Sequence, residues 1–63
     1  MNAKHLCKPF PNETPRDHHA RIEFFAEKFE RVSYDMELYT FKGGSQLLVQ
    51  LDENLRPAAV VEI

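Results

Sequence analysis

Three histidines and one cysteine are the residues here with the widest chemistry: His5, Cys7, His18 and His19. All four suit zinc by type, but zinc sites draw closely spaced ligand pairs from opposing elements. His5 and Cys7 flank a single residue, and the adjacent His18 and His19 would point about 100° apart on a helix. The pattern therefore predicts no metal site, and the histidines read as solvated or rim groups. Cys7 has His5 nearby in sequence but no third group to orient the pair as a nucleophile and base. Ser33 and Ser45 lack the strained Gly-x-Ser-x-Gly turn of hydrolase nucleophiles. Gly43-Gly44 precedes an alternating segment, without the Lys-Ser/Thr that ends a phosphate loop, and reads as a hairpin turn. No catalytic residue and no cofactor is expected, and a chain this small leaves little room for a substrate cleft.

The elements that carry these residues follow from their periodicity. Residues 1–13 have no periodic pattern and include Lys8-Pro9-Phe10-Pro11. They read as an extended N-terminal arm whose Phe10 tucks against the domain. Thr14 can cap a helix, Pro15 suits its first position, and Asp17 stands where a capping-box acid would. Ile22, Phe25, Ala26 and Phe29 then form one apolar stripe, with His18 at its edge and a Glu27–Arg31 pair on the wet side. The helix is predicted over 14–31.

Beyond it the period becomes two. Val32, Tyr34, Met36 and Leu38 alternate with Ser33, Asp35 and Glu37, and Leu47, Val49 and Leu51 alternate with Gln46, Leu48 and Gln50. Residues 58–63 form a third strand after a turn over 52–57. A two-residue Gly43-Gly44 loop would set Leu38 opposite Val49 and Met36 opposite Leu51, gathering both apolar sets on one face. A three- or five-residue second loop would place Ala59, Val61 and Ile63 on that same face. Leu55 is an awkward occupant of a left-handed position. The expected fold is α+β: one N-terminal helix packed on a three-stranded antiparallel meander, αβββ, as a single domain over 14–63.

That register strands Tyr39 opposite Leu48 on the other face, and Leu48 opposite Val60 under the shorter second loop, as an apolar row with Phe41 one step along. Phe24 is left on the wet side of the helix. Contiguous exposed apolar surface marks contact sites, so Phe24, Tyr39, Phe41, Leu48 and Val60 are the expected partner or dimer contacts.

The bulk properties agree with a binding role. The chain has 63 residues, 43% of them hydrophobic, and a formal net charge of −2. A domain of this size typically retains about 3–5 kcal/mol unless a disulfide, a metal or a second subunit reinforces it. Cys7 stands alone, so no internal disulfide can form, and a free thiol fits a reducing compartment. No apolar run is long enough for a membrane span or a signal-peptide core, which points to the cytoplasm and away from a membrane partner. Residues 1–22 carry +2 and residues 23–63 carry −4, and the acidic body disfavours phosphate-backbone binding.

The expectation is a small non-enzymatic protein-binding regulator or inhibitor. It would form a homodimer and act by occluding the surface of a larger protein. The rival is a single-stranded nucleic-acid binder that stacks bases on Tyr39 and Phe41. In size and acidity the chain is similar to the stand-alone regulators of mobile elements, phage inhibitors and antitoxins, a likeness that covers no motif.

Overall fold

A computed structural model describes residues 3–63, so the first two residues of the expected arm lie outside the described residues. A short 3-10 helix, Ala3–Leu6, leads into helix α1, Pro15–Phe25, and then into four strands: β1 Lys28–Ser33, β2 Met36–Thr40, β3 Gln46–Leu51 and β4 Pro57–Glu62. The strands form one antiparallel sheet in the order β1-β2-β3-β4. No helix among the described residues is long and apolar enough to cross a membrane.

The helix starts as its residues dictate. The Thr14 side chain accepts a hydrogen bond from the Asp17 backbone N–H at 3.1 Å, and Pro15 takes the first turn, where its missing N–H costs nothing. It ends six residues earlier than the stripe suggests. Ala26 adopts extended backbone, and the Glu27 N–H donates to the Thr40 carbonyl at 2.8 Å. The chain is thus drawn into the sheet, and the expected three-stranded meander is a four-stranded sheet. Phe29 lies four residues beyond Phe25 and also fits a strand in which Phe29 and Arg31 share a face, so both periods describe this stretch. The strand wins because it gives the β2 backbone a hydrogen-bonded neighbour. Val32–Leu38, read as one strand, is folded at Tyr34-Asp35 into the turn between β1 and β2, with Ser33 opposite Met36. Arg31, expected to pair with Glu27 along a helix, instead meets Glu37 across the hairpin at 3.2 Å.

The β2–β3 hairpin is the largest correction. Its loop has three residues, Lys42-Gly43-Gly44, closed by Phe41 N–H to the Ser45 carbonyl at 2.8 Å and by Gly44 N–H to the Phe41 carbonyl at 3.0 Å. Gly43 and Gly44 both have φ of 94°, a backbone state only glycine enters without penalty. The added residue sets Tyr39 opposite Leu47 and Glu37 opposite Val49, which reverses β2. Either loop keeps Leu47, Val49 and Leu51 inside. The observed one brings in Tyr39 and Phe41, whose rings bury far more apolar area than Met36 and Leu38 would.

β4 is reversed as well. The second loop has the three residues Glu53-Asn54-Leu55, with Asp52 N–H bonded to the Arg56 carbonyl at 2.8 Å. The register then shifts between Gln50 and Leu51, so that Leu51 faces Pro57 while Val49 faces Val60. This bulge at Ala58 adds one residue to β4 and exchanges its faces. Val60 turns toward the core, and Ala59, Val61 and Ile63 turn outward.

The core comprises Ala3, Leu6, Ile22, Tyr39, Phe41, Leu47, Val49 and Leu51, with Cys7, Ala26 and Val60 packed against it. The leading segment is therefore part of the domain, because Ala3 and Leu6 are fully buried. It is tied down by His18, whose Nε2 lies 2.7 Å from the Leu6 carbonyl. Glu13 adds a second tie, meeting Arg21 Nε at 2.7 Å and Nη2 at 2.8 Å while accepting the Phe10 N–H. Phe10 stays exposed, with the Arg21 guanidinium 4.0 Å above its ring.

Two predictions follow from these local geometries. Leu55 sits at φ 61° with its side chain half exposed, a conformation that costs an L-residue about 1–2 kcal/mol. Leu55→Gly is expected to stabilise the protein by about 0.5–1 kcal/mol once the added freedom of the unfolded chain is subtracted. Urea unfolding reads this as a higher midpoint at unchanged slope. The second concerns Glu13, whose carboxyl is held down from 4.5 to about 2, first by the Arg21 hydrogen bonds and then by the Phe10 N–H. A depressed folded-state pKa contributes stability that is complete above the unfolded value and is lost as pH falls through the folded one. The urea midpoint should therefore drop between pH 4.5 and 2, and Glu13→Gln should flatten that part of the profile.

Candidate interaction surface

The corrected register decides what each face of the sheet presents. On the face away from the helix, Glu30, Leu38, Leu48 and Val61 form one row across all four strands. Met36 and Ile63 lie in the rows on either side, and Val32 sits at the β1 bulge. Leu38, Leu48 and Met36 are half-buried by their neighbours, while Val32, Val61 and Ile63 are more than half exposed. Polar side chains flank this belt: Lys28, Thr40, Gln46 and Gln50. An antiparallel sheet with one solvated face ordinarily alternates to polar residues there, and this face is apolar through its middle.

The expected contact residues divide. Tyr39 and Phe41 are 2% and 1% exposed and belong to the core, so neither is an outward platform for a partner or for stacked bases. Val60 is half-buried and packs against that core. Leu48 does lie on the outer face, at its centre, and Phe24 is 80% exposed with its ring edge-on to Phe25 at 5.0 Å. Leu38, Val61 and Ile63 are outer-face residues that sequence reasoning placed inside. Only parity could have found them, and parity turns on a loop length and a bulge.

Of the expected apolar stripe Ile22 and Ala26 meet the core, and a polar cluster takes the rest of the helix side. His18 and His19 are buried rather than solvated, and Phe25 and Phe29 are exposed. His19 Nε2 donates to Glu37 Oε1 at 2.9 Å, and the Tyr39 hydroxyl donates to the same oxygen at 2.8 Å. Arg31 Nη2 reaches Glu37 Oε2 at 3.2 Å, and Arg56 Nη1 approaches His19 Nδ1 at 3.5 Å. Glu23 Oε1 lies 3.3 Å from His19 Nε2 on the solvent side. A cleft of about 340 Å³ between the end of α1 and β1 opens above this cluster.

Its chemistry is nonetheless committed inward. Burial first, and then the Glu37 hydrogen bond and charge, push the Tyr39 hydroxyl far above the ordinary tyrosine range, so it stays a donor. Both Glu37 oxygens are occupied, and no buried side-chain polar atom among the described residues lacks a partner. The cluster therefore fastens helix to sheet, since a buried carboxylate is tolerable only when its lone pairs are met. Cys7 is no better suited to attack, because burial and the Glu62 charge raise its pKa despite Lys4. Among the described residues no three His, Cys, Asp or Glu side chains are placed to hold a metal ion.

Comparison with known proteins gives no match to any family model, to a curated protein or to a solved structure.

The cluster makes a graded prediction. Tyr39→Phe removes one donor and leaves Glu37 bonded to His19 and Arg31, at a cost of about 1 kcal/mol. Glu37→Ala strands two buried donors and should cost about 3 kcal/mol. In urea unfolding the double variant should lose less than the sum of the two, because the residues share one network.

Proposed function

We propose that this chain is a non-enzymatic protein-binding regulator, assembled as a homodimer through the outer face of its sheet. One observation carries the reading: the apolar belt of Leu38, Leu48 and Val61, extended by Val32, Met36 and Ile63, has no covering layer among the described residues. Its occupant is a second copy. The molecule measures 30 × 28 × 17 Å between outer Cα atoms, so its broad face matches the roughly 800 Å² per partner of a standard interface. The belt is flanked by one cation, Lys28, and one anion, Glu30, so two copies related by a two-fold axis can set unlike charges against each other. Sheets stack face to face about 10 Å apart, and a core of eight buried apolar residues gains from that second layer. The acidic remainder of the surface then complements a basic patch on a larger protein, and Cys7, as a free thiol, suits a reducing compartment.

Gel filtration with light scattering tests the dimer. Wild type should elute at twice 7.4 kDa, and Leu48→Asp at the monomer mass with its helical circular dichroism retained. A wild type that stays monomeric at about 100 μM, an ordinary concentration for weak dimers, would refute the assembly. So would a Leu48→Asp variant that remains dimeric.

A further inference from the structure

The two edges of the sheet are protected very differently. β1 carries Lys28, Glu30 and Arg31 and a bulge before Ser33, the usual devices against unwanted strand pairing. β4 carries Pro57 and the Ala58 bulge at its start, and then runs through Ala59, Val60 and Val61 without a charge until Glu62. The Ile63 N–H donates to the Gln46 carbonyl at 3.1 Å, so antiparallel alternation turns the N–H and C=O groups of Val60 and Glu62 away from β3. No backbone group among the described residues bonds to them.

Beside this edge runs a trough of about 610 Å³, lined by Lys4, His5, Cys7 and Lys8 of the leading segment and by Val60, Val61 and Glu62 of β4. That volume lies within the range of recognised ligand clefts, about 300–1,000 Å³. Its floor is apolar, and one rim is a strand edge that ends in Glu62 and that no backbone group among the described residues pairs. The other rim carries Lys4 and Lys8 on a chain of net charge −2.

We propose that the trough along β4 binds an extended acidic peptide segment of another protein, which adds to the sheet as a fifth strand. Main-chain bonds to Val60 and Glu62 supply affinity, and the basic rim selects carboxylate side chains. Pairing with a second β4 is disfavoured, because it would bring two such basic rims together. The proposal rests on the protein-binding reading and adds a second contact to it: an acidic segment meets Lys4 and Lys8, apart from the basic patch that faces the acidic surface. It does not need the dimer, since it uses the main chain of Val60 and Glu62 whereas the outer face uses the side chains of Leu38 and Leu48, with Val61 lining both.

The probe is a fluorescein-labelled seven-residue peptide alternating valine and glutamate, with its lysine counterpart as control, followed by anisotropy. The glutamate peptide should bind at least tenfold more tightly and weaken with salt, and the pair Lys4→Glu and Lys8→Glu should cost tenfold or more. Glu62→Pro deletes one outward N–H without touching the β3 ladder and should abolish binding, whereas Glu62→Gln should retain it. In the wild type, amide shifts on titration should concentrate at residues 60–63. Equal binding of both peptides, binding unchanged in Glu62→Pro, or shifts confined to Leu38 and Leu48 would overturn the proposal. So would a dimer that Leu48→Asp leaves intact and Glu62→Pro dissolves, because β4 would then serve self-pairing. Peptide binding kept by Leu48→Asp, together with a dimer kept by Glu62→Pro, separates the fate of this site from that of the outer face.

Discussion

The Glu37 carboxylate is the point on which the architecture turns. It lies on β2, is 4% exposed, and takes hydrogen bonds from His19 on the helix, from Tyr39 two residues along and from Arg31 on β1. A carboxylate in that position is costly unless every acceptor is used, and here three elements are arranged to use them. Once Glu37 faces the helix, alternation carries Tyr39 and Phe41 to the same side. Met36, Leu38 and Thr40 must then face outward. One buried charge and the parity of one strand thus define both the inner core and the apolar outer belt.

The leading segment shows how a small domain enlarges its core. Ala3 and Leu6 are fully buried, and two ties from α1 hold the segment, His18 to the Leu6 carbonyl and Arg21 to Glu13. The same docking sets Lys4 and Lys8 beside β4 and creates the trough there. The segment that completes the core therefore also shapes the less protected edge of the sheet. The asymmetry between β1, with three charges, and β4, charged only at Glu62, gains its meaning from that placement.

The functional reading follows from which surfaces are finished and which are not. The His19–Glu37–Tyr39 cluster is finished: its donors and acceptors face one another, and its role is cohesion. Among the described residues the outer belt and the β4 edge are unfinished, one lacking an apolar cover and the other lacking backbone partners at Val60 and Glu62. They are neighbouring surfaces that share Val61, one built from side chains of the sheet face and the other from the main chain of its edge.

Local chemistry was legible in the residues themselves. Thr14 and Pro15 start a helix because a hydroxyl cap and a missing N–H suit that position in any context. Gly43 and Gly44 turn a hairpin because both adopt positive φ, and Leu47, Val49 and Leu51 share the buried face of β3 under either loop. Tertiary structure decided the rest. Residues 28–33 suit a helix or a strand, and pairing with β2 chose the strand. A third loop residue beside the glycines and a bulge at Ala58 each moved a strand by one position. Because side chains alternate with a period of two, a one-residue shift exchanges a strand's entire inner and outer sets. Local sequence therefore named the helix start, the turn glycines and the inner face of β3. The formation of β1 and the facing of β2 and β4 were decided by strand pairing and by the competition to bury Tyr39 and Phe41 while satisfying Glu37.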